Sequence, residues 1–182
     1  MDIGVFTEGT VLMHQEARDV PREVRVRQSK LAGIQREEVY QKFGALSAYK
    51  PEQGSVHDYE NYVPVGEAVD KLKTWKGQGV TIKYISSRRV GVEIDAIRKV
   101  LAKYGFPDCH NLVFRQEGEG YEDVIERAVP DVLIEDDCES IGGNKEMIYT
   151  RLRAETKQKV RSVSVREFGG IDQLPEDVKQ LS

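Results

Sequence analysis

Short apolar runs alternate with amphipathic stretches along most of the chain. Residues 3–6, Ile-Gly-Val-Phe, are apolar and are closed by Glu8-Gly9, which predicts a buried strand followed by a sharp turn. From Pro64 onward the alternation is regular. Residues 65–77 carry Ala68, Leu72 and Trp75 at helical spacing, and Gly77 and Gly79 stop that helix. Residues 80–85, Val-Thr-Ile-Lys-Tyr-Ile, have the β-branched and aromatic content of a strand, ended by Ser86-Ser87-Arg88-Arg89. A second helix is predicted over 93–104, with Ile94, Ile97, Val100 and Leu101 inward and Gly105 as its cap. Residues 111–114 read as a short strand. Residues 120–128 read as a helix stopped before Pro130, and 132–134 as a strand ending in Glu135-Asp136-Asp137. A helix over 145–157 and an alternating strand over 160–165 complete the pattern.

Residues 13–63 interrupt it. Arg18, Arg22, Arg25, Arg27 and Lys30 make their first half highly charged, and a polar, aromatic stretch follows to Tyr62. Leu31, Ile34, Val39 and Phe43 predict a helix over 29–43, and residues 49–55 read as a loop. The block is expected to be a small helical insertion in a core made of 1–12 and 64–182. Alternating strands and helices predict an α/β protein, a three-layer α/β/α sandwich on a parallel sheet. In such sheets ligands gather at the carboxyl ends of the strands. Three strand ends carry polar clusters: Thr7-Glu8-Gly9-Thr10, Ser86-Ser87-Arg88 and Glu135-Asp136-Asp137.

Composition narrows the function classes. The chain has 182 residues, 39% of them hydrophobic, which is enough for one domain with a sizeable core. Lys and Arg number 27 against 31 Asp and Glu, so the net charge is −4. Sequence-independent nucleic-acid binding needs concentrated positive charge, so no nucleic-acid partner is expected. No apolar run approaches the ~20 residues of a membrane span, and Met1 to Phe6 lack the basic and apolar regions of a signal peptide. A cytoplasmic protein without a membrane partner is expected. Cys109 and Cys138 cannot make a disulfide framework, and with three histidines they show no zinc spacing. His14 and His57 are expected at the surface or as caps.

Taken in order, the three clusters resemble motifs of the haloacid dehalogenase-like (HAD) superfamily. Residues 3–12 look like its first motif, an apolar strand followed by Asp-x-Asp-Gly-Thr. Tyr84-Ile85-Ser86-Ser87-Arg88 looks like the second, and residues 132–137 look like the fourth. The resemblance covers nearly the whole chain and implies a HAD-like, Rossmannoid sheet. It implies that 13–63 stand where the family inserts a cap domain. It further implies catalytic positions at Glu8, Ser86 and Arg115, phosphate contacts from Thr10, Ser86, Ser87 and Arg88, and magnesium ligands among Glu8, Glu135, Asp136 and Asp137. Arg115 is the nearest cation to the third motif, which normally carries a Lys or Arg. The implied partner is a small phosphorylated molecule.

One departure is specific. The family's nucleophile and metal ligand, the first Asp of its first motif, is Phe6 here, and its second Asp is Glu8. Phenylalanine can neither attack phosphorus nor bind a cation, so the phosphoenzyme route of the family is closed by direct carry-over. Magnesium binding is expected to be weak or absent with one carboxylate missing. The expected function is a degenerate phosphatase site, non-catalytic or binding a phosphorylated ligand. The alternative is a magnesium-dependent phosphohydrolase, a phosphatase or nucleotidase, with a modified first motif using Glu8. Structural roles stand beside these: Thr10 bonding within its turn, Ser86 capping the following helix, Cys138 as an ordinary thiol, and Tyr49, Tyr59 and Tyr62 either lining a pocket or packing the insertion onto the core.

Overall fold

The computed structural model describes residues 1–32 and 52–181. Five parallel strands form the sheet: β1 (Asp2–Phe6), β4 (Thr81–Ser86), β5 (Leu112–Phe114), β6 (Val132–Asp136) and β7 (Arg161–Val165). Their order is β5-β4-β1-β6-β7. The chain leaves β1 for β4 and β5 on one side, then returns to β6 and β7 on the other. The carboxyl end of β1 is therefore the switch point at which such sheets open a crevice.

Alternation along the strands sorts the core into two layers. Ile3, Val5, Ile82, Tyr84, Val132 and Ile134 face one cluster with Leu72, Trp75, Ile94, Ile97 and Leu101. The helices of that layer are α2 (Ala68–Gly77) and α3 (Gly91–Lys103). Ile85 and Leu133 face the opposite cluster with Val124, Ile125, Ile148 and Leu152, carried by α4 (Tyr121–Ala128) and α5 (Ile148–Arg151). Gly4 lies in β1 on this second side because nothing larger fits. A Cβ there would sit 2.7 Å from Ile85 Cδ1 and 2.9 Å from Pro130 Cγ. The sandwich and its parallel sheet are thus as the pattern predicts. The helix expected over 145–157 is instead two single turns, α5 and α6 (Ala154–Lys157). Leu152 and Arg153 between them are extended, with ψ of 150°.

The inserted block is tied to the core at its described ends. β2 (Leu12–Met13) pairs antiparallel with β3 (Val63–Pro64). Helix α1 (Arg22–Ala32) begins just after Pro21, a good residue for a first helical turn, seven residues before the expected start. The rest of the helix expected over 29–43, and Tyr49, lie outside the described residues. Tyr59 and Tyr62 belong to the main core cluster, so they pack their segment onto the sheet layer. Met13, Ala17 and Val26 pack with Val63, Val65 and Phe168.

His14 is not at the surface. It is 2% exposed and sits edge-on to Phe168, with ring centroids 6.0 Å apart. Burial, with Arg25 nearby, pushes its pKa down from 6.5 to about 4, although Gln28 bonds to it. The folded state thus binds a proton later than the unfolded chain as pH falls. Between pH 6.5 and 4 the unfolded state carries more protons, so stability falls as the pH falls through that window. At pH 4 the wild type is expected to have lost about 3 kcal/mol more than His14→Gln, relative to pH 7. Urea unfolding of both proteins across the window checks this; parallel curves would refute it.

Candidate functional site

Three strands deliver their last residues to the switch point. Ser86, buried at the end of β4, donates from Oγ to Glu8 Oε1 at 2.7 Å and accepts the Arg88 N–H at 3.1 Å. It thereby caps its own turn and not α3, whose N-cap is Val90. Thr7 Oγ1 donates to Glu8 Oε2 at 2.5 Å, so both oxygens of Glu8 are engaged. The Arg88 Nε lies 4.0 Å from Glu8 Oε1, and its guanidinium also donates to Ser87 Oγ and to Tyr59 Oη. Burial opposes the Arg88 charge, but Tyr59, Glu8, Tyr121 and Glu93 outweigh it and hold its pKa above the ordinary value. Burial and then Arg88 push the His57 pKa below its ordinary value.

Arg115, 5% exposed, ends β5 beside this group. Its N–H donates to Arg88 O at 3.2 Å. Its guanidinium donates to Glu119 O and lies 4.2 Å from the Tyr121 ring centroid. Two buried arginines and the hydroxyls of Ser86 and Ser87 therefore cluster at the ends of β4 and β5, with the hydroxyls of Thr7 and Tyr59 beside them.

The two acids that end β6 divide between the two sheet faces, as alternation requires. Glu135 turns to the α5 side and accepts the Ile148 and Tyr149 N–H groups at 2.8 and 3.1 Å. Burial pushes it up to about 7 despite those bonds. Asp136 turns the other way. Its Oδ2 accepts from Thr10 Oγ1 at 3.0 Å and its Oδ1 accepts the Cys138 N–H at 3.0 Å. Gly9, at φ +83°, passes so close that a Cβ would lie 2.8 Å from Asp136 Oδ2.

Asp136, Asp137 and Glu167 bring carboxylate oxygens within 4.8 Å of one another. Burial and then Glu167 push Asp136 up to about 7, and burial raises Glu167 in turn. Glu167 also accepts from Ser140 N and Oγ at 2.6 Å. Of the expected magnesium ligands, Asp136 and Asp137 lie in this trio, while Glu8 and Glu135 lie outside it. Glu167 is the acid that sequence reasoning missed. It stands two residues past β7, so the strand-end rule that singled out the other clusters would have pointed to it.

Phe6 ends β1 half-buried, packed against the cluster of Ile85, Leu133 and Ile148. Its ring offers neither a nucleophile nor a cation ligand at this strand end. Cys138 follows Asp136, and burial followed by the neighbouring acids raises its thiol well above the ordinary value, as fits an ordinary thiol.

No family model matches this sequence, and no curated protein sequence matches it. The fold is similar to that of the class C acid phosphatase from Bacillus anthracis, with a TM-score of 0.52 at 17% identity, over 93% of this chain and 67% of that one. The crystal structure of that enzyme with tungstate bound also gives 0.52, at 15% identity over 93% and 68%. That enzyme belongs to the HAD superfamily, and the fold here is HAD-like. Among the described residues no helix is long and apolar enough to cross a membrane.

Proposed function

We propose that this chain binds a phosphorylated ligand at the switch-point crevice and does not turn it over through a phosphoenzyme. The observation that carries the reading is Phe6 at the end of β1, between the strands that end in Ser86 and Asp136. The polar half of the site is kept while the attacking group is gone. In this reading Ser86, Ser87, Arg88 and Thr10 surround the phosphate, with Arg115 as a further cation. Residues 13–63 act as the cap. The two free thiols fit a cytoplasmic setting.

Asp136, Asp137 and Glu167 fit a divalent cation, because hard cations take carboxylate oxygens and these three converge. Magnesium held there would neutralise phosphate oxygens. Thr10 would hold Asp136 in place, and Ser140 would orient Glu167.

Tungstate, a phosphate mimic, is the probe. The wild type is expected to bind it in a calorimetric titration, and magnesium is expected to strengthen the binding. Ser86→Ala is expected to weaken it roughly tenfold, the value of a hydrogen bond to a charged group. Absence of tungstate binding, or equal binding by Ser86→Ala, would defeat the reading. A second reading keeps hydrolysis with Glu8 as the acid. It is favoured by the 2.7 Å bond that holds Glu8 beside Ser86.

A further inference from the structure

β7 closes one side of the sheet, and among the described residues only β6 pairs with it. The Arg161 N–H donates to Asp131 O at 2.9 Å, and Val165 O accepts the Asp137 N–H at 2.8 Å. In a parallel ladder the residues that bond to a given neighbour alternate. Arg161, Val163 and Val165 therefore face β6, and the N–H and C=O groups of Ser162 and Ser164 face outward. The register runs unbroken from Arg161 to Val165, and the strand contains no proline. An open edge of this kind is a template for another strand.

Two cavities of about 540 Å³ each lie along this edge. Tyr149, Lys157, Lys159 and Arg161 line the first, together with Asp131. Arg22, Arg166 and Asn144 line the second, together with Asp137. Cations thus outnumber acids at the first end, on a chain whose net charge is −4, while at the second Arg166 stands exposed beside an Arg22 that is paired to Glu139 at 2.7 Å. Between the ends the strand reads Ser-Val-Ser-Val and is uncharged.

We propose that the outer edge of β7 is a docking edge for an acidic, extended segment of a partner protein, which adds to the sheet as one more strand. Main-chain bonds to Ser162 and Ser164 supply the attachment. Carboxylates against Lys157, Lys159 and Arg161 at one end, and against Arg166 at the other, supply the choice of partner. A second copy of this chain is the poorer occupant, because pairing two β7 edges would bring both sets of cations along one line.

The test uses the whole chain and a fluorescein-labelled Asp-Val-Asp-Val-Asp-Val peptide, with a Lys-Val repeat as its counterpart. The acidic peptide is expected to bind by fluorescence anisotropy, more weakly as salt is added, and the basic one is not. Ser162→Pro and Ser164→Pro each remove one outward N–H and leave the ladder to β6 in place. Each is expected to weaken binding roughly tenfold or more while the protein still unfolds cooperatively. Arg161→Glu combined with Arg166→Glu is expected to reverse the preference toward the basic peptide. That arm decides the matter if the prolines prevent folding. No binding of the acidic peptide would mean that the cations serve only to keep the edge unpaired. That result overturns the proposal, as does binding that neither prolines nor charge reversal alters. A wild-type dimer that Ser164→Pro splits would assign the edge to a second copy and overturn it too.

Discussion

Arg88→Met is expected to lower the stability of the fold by about 3–5 kcal/mol, the cost of breaking one side of a buried ion pair. Arg88 is 7% exposed. Its guanidinium serves Ser87 Oγ at 2.9 and 3.3 Å, Tyr59 Oη at 3.2 Å and Glu8 at 4.0 Å. Glu93 is also in reach: burial raises its pKa, Arg88 pulls it back and Glu8 pushes it up again. Methionine fills similar space without the charge. Two half-buried carboxylates would then face each other with no cation between them. Part of the loss is expected to return in Arg88→Met combined with Glu8→Gln, because the second change removes one of the stranded charges. Urea unfolding at pH 7 measures both. A single-mutant loss under about 1 kcal/mol would reduce the pair to the value of a surface one.

The same residue shows where sequence reading reaches and where it stops. Arg88 was legible as a strand-end cation beside Ser86, because the apolar pair Tyr84-Ile85 gives way abruptly to Ser86-Ser87-Arg88-Arg89. That Arg88 is the counter-ion of Glu8 was not legible, since 80 positions separate them and only the pairing of β1 with β4 brings them together. The central strands were readable because burial on both faces makes them continuous apolar runs. Glu167 stood past a strand end like the other clusters, but that it meets Asp137, the residue after β6, was not legible, since only the β6–β7 ladder closes the 30-residue gap. The division of Glu135 from Asp136 was implicit in strand alternation, yet three adjacent acids read as one cluster. The break at Leu152-Arg153 has no glycine or proline to announce it. The early start of α1 did have its signal in Pro21.

Wild-type protein is expected to show no magnesium-dependent turnover of p-nitrophenyl phosphate above background, and Phe6→Asp is expected to gain only a little. Phosphoenzyme chemistry needs a carboxylate in line with phosphorus at ~3–3.5 Å. Phe6 offers none, and both oxygens of Glu8 already accept hydroxyl bonds from Thr7 and Ser86. In the proposed reading that keeps hydrolysis, Glu8 exchanges a proton and does not attack. Asp136, the other acid near the crevice, is held by Thr10 and Cys138 and is shared with Asp137 and Glu167. An aspartate at position 6 would supply the missing nucleophile, but it would enter the apolar cluster of Ile85, Leu133 and Ile148. It would also stand next to Glu135, whose own charge is already disfavoured by burial. The variant is therefore expected to lose about 2–4 kcal/mol of stability from lost ring packing and a poorly solvated carboxylate. Its turnover should stay far below that of an intact site, because the surrounding groups are set around a ring. Phosphate release with and without magnesium, beside urea unfolding, measures both effects. Robust, magnesium-dependent turnover by the wild type that disappears in Glu8→Gln would overturn the expectation. It would put Glu8 at the centre of a modified hydrolysis, with water attacking phosphorus directly.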